Sequence, residues 1–154
     1  MGSDALIQLC SVPVAERVDT DVKLTLPARP EHVSVIRHVL GAFAEALRLP
    51  DPLIEDLRLA VTEACTNVVR HAYPGGQTGP VEISIHPLEE AVSVVVSDQG
   101  RGIGASSDTN GPGLGLPLIA ALADSLEIER TTSAGSRLVM SFLRARETPA
   151  MGMA

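Results

Sequence analysis

The chain has 154 residues, 45% of them hydrophobic but only 2% aromatic, and it carries a formal net charge of -7. This length and composition predict one globular domain with an aliphatic core and exclude a disordered chain, while the acidic charge argues against non-specific nucleic-acid binding. The N-terminus shows no signal-peptide pattern and no apolar run reaches the roughly 18 residues of a membrane helix, so we expect a cytoplasmic protein without a membrane partner.

The first half of the chain predicts a leader, one strand and two helices. Residues 1–20 show little periodicity and are taken as a leader, whereas residues 21–26 alternate polar and apolar side chains, which is typical of a half-buried strand. Apolar residues at helical spacing predict a helix over residues 31–47. A proline-containing turn at residues 49–52 separates it from a second, longer helix, predicted over residues 53–72.

A strand pair and a glycine-rich stretch follow the second helix. Residues 81–86 and 91–97 predict two strands joined by a turn. The second of them is a nearly continuous β-branched run, which indicates a central strand buried on both faces. The glycine-rich stretch occupies residues 100–115.

The last elements complete a single domain. A short helix is predicted over residues 114–123, followed by two strands over residues 125–131 and 137–143. We therefore expect one domain over residues 21–146 and a loose tail over residues 147–154. The order of elements indicates one sheet covered by helices on one face.

The second predicted helix separates polar from apolar side chains. On a helical wheel, Asn67 and Arg70 fall within about 40° of Glu63, whereas Cys65 belongs to the opposite, apolar stripe and is expected to be a buried, reduced thiol. Glu63 and Asn67 stand one turn apart, so they can address the same small ligand. Their oxygens suit Mg²⁺, or Glu63 can act as a general base. A solvated face of an amphipathic helix explains the same pattern.

Two glycine clusters lie between the predicted strand over residues 91–97 and the short helix. Asp98 ends that strand, directly before the first cluster, where its carboxylate can accept a hydrogen bond from an exocyclic amine such as that of adenine. The second cluster, residues 111–115, opens the short helix, and free N–H groups at a helix N-terminus favour phosphate. Each cluster alone equally fits a plain turn. The order of the elements excludes a dinucleotide-binding fingerprint, and the absence of a Gly-Lys-Ser/Thr sequence after the glycines excludes a Walker A loop.

Taken together and in this order, these segments resemble the GHKL superfamily of ATPases and kinases. EACTNVVRHAY is similar to its N box, DQGRGIG to its first glycine box and GPGLGL to its second, while Gly135 and Ser136 resemble its short third box. The resemblance covers residues 30–143 and is strongest to bacterial anti-sigma factor serine/threonine kinases. It implies a Bergerat ATP-binding fold: an α+β, two-layer α/β sandwich with a mixed, mostly antiparallel sheet and helices on one face.

The resemblance also implies roles for individual residues, with ATP and Mg²⁺ as cofactors. Glu63 would be the catalytic base, Asn67 would hold the Mg²⁺ ion, and Asp98 would bind the adenine amine. The other residues expected to contact the nucleotide are Gly100, Gly102, Gly104, Gly111, Gly113, Leu114, Gly115 and Ser136.

The lid between the two glycine boxes departs from the family pattern. It spans only residues 105–110 and contains no lysine or arginine, whereas the serine kinases place an arginine there against the terminal phosphate. Phosphoryl transfer depends on such positive charge. Arg70 and Arg101 are the candidate replacements, and Arg70 is favoured as a catalytic residue because it shares the stripe of Glu63.

The implied function is a kinase that sequesters a sigma factor and phosphorylates an anti-anti-sigma protein of the STAS type on serine. Two other functions stay open at the level of sequence. The first is a non-catalytic anti-sigma or regulatory binding module with a degenerate nucleotide site, which the short lid favours. The second is an ATPase or protein kinase of another regulatory pathway. Homodimer formation is also left open.

Overall fold

Five strands form one antiparallel sheet in the computed structural model, which describes residues 21–101, 115–130 and 135–145. The strands are β1 (Val22–Pro27), β2 (Pro80–Pro87), β3 (Ala91–Asp98), β4 (Ser125–Arg130) and β5 (Ser136–Leu143). Their order across the sheet is β1-β2-β3-β5-β4, and every neighbouring pair in this part of the chain is antiparallel. All five predicted strands are therefore confirmed, with ends within one residue of the prediction.

Three helices form a second layer over one face of this sheet. They are α1 (Pro30–Ala46), α2 (Asp51–Asn67) and α3 (Gly115–Leu122). Both α1 and α2 begin with a proline in the first turn, where its missing N–H costs no hydrogen bond. Because α2 contacts α1, α3 and strands β3 and β5, it lies in the middle of the helical layer. The predicted two-layer α+β architecture is confirmed.

The core lies between the two layers and consists mainly of aliphatic side chains, together with Cys65, Met140 and Phe142. On β3, Val92, Val94 and Val96 face the helices and are buried. Val95 is buried on the opposite face, but Ser93 and Ser97 beside it are only half-buried. The prediction that β3 is buried on both faces is wrong for these serines, because the helices cover one face of the sheet only.

The second predicted helix changes its geometry before it ends. It is α-helical only to Asn67 and continues as a π-helix over Val68–Ala72. A π-helix has a wider turn than an α-helix and occurs mostly as a single turn, which is frequently found at functional sites. The wheel angle predicted for Arg70 therefore does not hold. Glu63 and Asn67 both lie within the α-helical part and keep their predicted spacing.

Cys65 is fully buried on α2, as predicted, and burial raises the pKa of its thiol to about 12. The thiol is therefore protonated and unreactive at neutral pH. None of the helices within the described ranges is both long and apolar enough to cross a membrane. The predicted leader (residues 1–20) and tail (residues 147–154) lie outside the described residues, and the domain limits stay predictions.

Candidate functional site

Glu63 and Asn67 occupy the end of α2 that faces α3. Both side chains are half-buried, and they stand one helical turn apart. The amide of Asn67 lies against the first residue of α3, because a Cβ atom at Gly115 would come within 2.9 Å of Asn67 Nδ2 and 3.1 Å of Oδ1. The missing side chain of Gly115 thus brings the N-terminus of α3 close to Asn67, as the predicted nucleotide site requires.

Asp98 is held at the end of β3 by two hydrogen bonds. Its Oδ2 atom accepts from the hydroxyl of Ser136 at 2.6 Å, and its Oδ1 atom accepts from the backbone N–H of Gly100 at 2.9 Å. Asp98 and Ser136 are opposite each other on β3 and β5, and only 8% and 2% exposed. An ionised carboxylate has about four acceptor positions, so Asp98 can still accept a hydrogen bond from a ligand amine. Ser136 therefore orients Asp98 in this structure.

The loop after β3 packs directly on the π-helical turn. A Cβ atom at Gly100 would overlap the carbonyl oxygen of Ala72. The same oxygen accepts a hydrogen bond from the backbone N–H of Arg101 at 3.0 Å, and the carbonyl of His71 accepts from Arg101 Nε at 2.8 Å. This contact joins the first glycine box to the N box. The sequence did not predict it, because nothing in the local pattern marks a π-helical turn.

Tyr73, directly after the π-helical turn, also contacts the loop after β3. Its hydroxyl donates to the carbonyl of Pro80 and accepts from the backbone N–H of Gln99 at 2.9 Å. Burial raises the pKa of the Tyr73 hydroxyl. The hydrogen bond from Gln99 lowers this pKa and the negative charge of Asp98 raises it, and the hydroxyl stays protonated at neutral pH. A cleft of about 430 Å³ opens beside it between residues 72–80 and 99–101. Sequence reasoning missed Tyr73, although its place directly after the helix was a usable signal.

The two candidate arginines differ in their surroundings. Arg101 is engaged through Nε with the carbonyl of His71. Arg70 is exposed on the π-helical turn, and its side chain forms no hydrogen bond or ion pair with another described residue. Arg70 is therefore the arginine with more freedom to turn toward a phosphate, and its catalytic role stays a prediction.

Part of the predicted site falls outside the described residues. This holds for the lid and for five of the residues expected to contact the nucleotide, namely Gly102, Gly104, Gly111, Gly113 and Leu114. Their roles stay predictions. The structure places Gly100 of the first glycine box next to Asp98, and Gly115 of the second glycine box next to Asn67.

Replacing Gly100 by alanine is expected to lower the melting temperature by about 3–10 °C. The added methyl group has no room beside the Ala72 carbonyl, and overpacking of this kind typically costs about 1–3 kcal/mol. Gly41→Ala is the matched control, because a methyl group there meets only the flexible end of the Arg58 side chain. Thermal unfolding of both variants measures the difference. Equal melting temperatures for Gly100→Ala and wild type would contradict the close contact.

Comparison with known proteins identifies similar sequences and similar folds. The model of the histidine kinase-like ATPase domain matches residues 26–142. Serine-protein kinase RsbW of Bacillus licheniformis is 34% identical over 123 residues, which cover 70% of this chain and 77% of the relative. Serine-protein kinase RsbW of Bacillus pumilus is 33% identical over 149 residues, covering 86% and 90%.

A solved structure of the RsbU and RsbW domains of Rv1364c from Mycobacterium tuberculosis has a TM-score of 0.66 to this chain. The sequence identity is 19%, and the match covers 82% of this chain and 33% of that longer one. At this identity the likeness concerns the fold alone. It agrees with the antiparallel sheet and single helical layer described above.

Proposed function

Because the chain belongs to the histidine kinase-like ATPase family, and within it to the RsbW serine-protein kinases, we propose that it is an anti-sigma factor kinase. It uses ATP, transfers the γ-phosphoryl group to a serine of an anti-anti-sigma protein, and sequesters a sigma factor. This activity belongs in the cytoplasm, where ATP and sigma factors meet. The placement of Glu63 one turn from Asn67, with Asn67 against the N-terminus of α3, carries the proposal.

The residues present fit the cofactors that the family implies. The amide oxygen of Asn67 is a hard oxygen donor, which suits a Mg²⁺ ion that keeps most of its water and phosphate ligands. Bound Mg²⁺ would neutralise the charge that develops on the phosphates during transfer. Asp98 would accept a hydrogen bond from the adenine amine, and Ser136 would keep its carboxylate in that orientation.

The transfer itself needs one proton acceptor from the protein. The serine hydroxyl gives its proton to the carboxylate of Glu63, and the serine oxygen forms a bond to the γ-phosphorus. The bond from the γ-phosphorus to the oxygen that bridges it to the β-phosphorus breaks, and ADP leaves with that oxygen. Glu63 is half-buried, which leaves its carboxylate open to an incoming hydroxyl.

The non-catalytic binding module has one observation in its favour, the six-residue lid without lysine or arginine. A module that only binds a partner does not need a carboxylate and an amide one turn apart beside the N-terminus of α3. The relatives from Bacillus licheniformis and Bacillus pumilus are both named serine-protein kinases. Both points favour the kinase.

A phosphotransfer assay tests the proposed function. The chain is mixed with labelled ATP, Mg²⁺ and a STAS-type protein from the same organism, and the product is mapped by mass spectrometry. We expect one phosphoserine on the partner, lost on chelation of Mg²⁺ and reduced at least tenfold by Asn67→Ala, which removes an ion ligand. Recovery of a stable complex without any phosphate would overturn the kinase and support the binding module.

A further inference from the structure

The hydroxyl of Tyr73 stands at the point where strands β2 and β3 part. Their pairing ends where Val81 lies opposite Asp98, and β2 continues by one residue to Pro80. If β3 continued, Gln99 would lie opposite Pro80, and its N–H would be able to donate to the Pro80 carbonyl directly. Instead, the Gln99 N–H donates to Tyr73 Oη at 2.9 Å, and Tyr73 Oη donates to the Pro80 carbonyl. The hydroxyl therefore bridges two groups of the sheet backbone and keeps the chain after β3 apart from β2.

The ring of Tyr73 is itself held in place, so its hydroxyl is a fixed point. A Cβ atom at Gly79 would overlap this ring, which therefore packs directly on the glycine. The carbonyl of Gly79 accepts a hydrogen bond from the backbone N–H of Ala28, directly after β1, at 2.9 Å. The ring thus rests on a segment that is tied to the edge of the sheet, and it does not depend on the loop after β3 for its position.

Three successive backbone N–H groups after Asp98 are each held by a different acceptor. The first donates to Tyr73 Oη. The second, that of Gly100, donates to Asp98 Oδ1 at 2.9 Å, and the third, that of Arg101, donates to the Ala72 carbonyl at 3.0 Å. These bonds turn the first glycine box from β3 toward the helical layer, and the bond to Tyr73 lies where that turn begins.

We propose that Tyr73 is a positioning residue for ATP binding, whose hydroxyl orders the chain after β3 so that Asp98 is oriented toward the adenine amine. This inference rests on the proposed function, in which Asp98 accepts that amine. Without the hydroxyl, a direct bond between the Gln99 N–H and the Pro80 carbonyl would draw the chain toward β2 and move Gly100 away from Asp98 Oδ1. A segment that is ordered before the ligand arrives loses less freedom on binding, so the hydroxyl raises the affinity for ATP.

The Tyr73→Phe variant removes the hydroxyl and keeps the ring that packs on Gly79, so it is expected to fold. We expect the KM for ATP to rise about tenfold, which lies within the net contribution of the two hydrogen bonds that are lost. The proposed phosphate end of the site lies elsewhere, between Asn67 and α3. The kcat at saturating ATP and the KM for the partner protein should therefore stay within about twofold of wild type, as for a change in nucleotide binding alone.

The matched control is Asp124→Ala, which removes a similar bond at the other end of the sheet. Asp124 Oδ2 accepts from the backbone N–H of Leu143 at 2.7 Å. Leu143 lies opposite Ala91, at the start of β3, whereas Asp98 ends this strand. We expect Asp124→Ala to lower the melting temperature and to keep the wild-type KM for ATP. An equal rise in KM for both variants at equal loss of stability would overturn the positioning role.

Two measurements that need no phosphoryl transfer separate this inference from the proposed kinase. In nucleotide-free protein, amide hydrogen exchange at residues 99–101 should be faster in Tyr73→Phe but not in Asp124→Ala, and calorimetric titration with ATP should show a loss of about tenfold in affinity for Tyr73→Phe only. If the wild type binds ATP but transfers no phosphate, the kinase fails while these results still support the positioning role. Unchanged ATP affinity in Tyr73→Phe would overturn that role even if exchange is faster, because the loop would then be held without effect on the nucleotide.

Discussion

Phosphotransfer by a Glu63→Gln variant is expected to fall at least a hundredfold, while ATP binding stays close to wild type. The amide has nearly the shape of the carboxylate but cannot accept the proton of the serine hydroxyl, and general-base catalysis typically contributes a factor of about 10²–10⁴. Glu63 is half-buried and α-helical, so the substitution changes neither the core nor the helix. Single-turnover transfer to the partner at saturating ATP measures the effect.

A second glutamate on the same helix provides the control. Glu55 lies two turns before Glu63, is exposed, and pairs with Arg58 at the surface. Glu55→Gln removes the same charge from the same helix, and we expect its transfer rate to stay within about twofold of wild type. Equal rates in Glu63→Gln and Glu55→Gln would show that another group accepts the proton, and the assignment of the base would then fail.

The sequence predicted those parts of the fold that depend on local periodicity. The apolar spacing that predicted a helix over residues 31–47 matches Pro30–Ala46, because one face of that helix packs on the sheet. The alternation in residues 81–86 matches β2, which buries every second side chain. The spacing of Glu63 and Asn67 also followed from periodicity alone, since both residues lie in regular α-helix.

The contacts that shape the site depend on residues far apart in the chain. The hydrogen bond from Ser136 to Asp98 spans 38 positions, and that from Arg101 to the carbonyl of His71 spans 30. Neither hydrogen bond leaves a pattern in the local sequence from which it could be predicted. The π-helical turn was missed for the same reason, because it packs closely against Gly100, which lies far along the chain.

An Asp98→Ala variant is expected to lose at least tenfold in ATP affinity and to be less stable than wild type. A hydrogen bond to a charged group is worth about 1.5–3 kcal/mol, and the variant loses the one proposed to the adenine amine. It also leaves the hydroxyl of Ser136 and the N–H of Gly100 without their acceptor, and each buried unpaired group costs about 1–3 kcal/mol. Calorimetric titration and thermal unfolding measure the two effects.

A Ser136→Ala variant distinguishes two roles of Asp98, recognition of the adenine ring and support of the loop after β3. This variant removes one hydrogen bond to Asp98 but keeps its carboxylate and the bond from Gly100. We expect it to bind ATP less tightly than wild type but still in preference to GTP, which carries a carbonyl where ATP carries the amine. Asp98→Ala should lose that preference, because no acceptor is left. If Asp98→Ala still selected ATP over GTP, the adenine amine would be recognised elsewhere, and Asp98 would serve only to hold the loop after β3 against the π-helical turn.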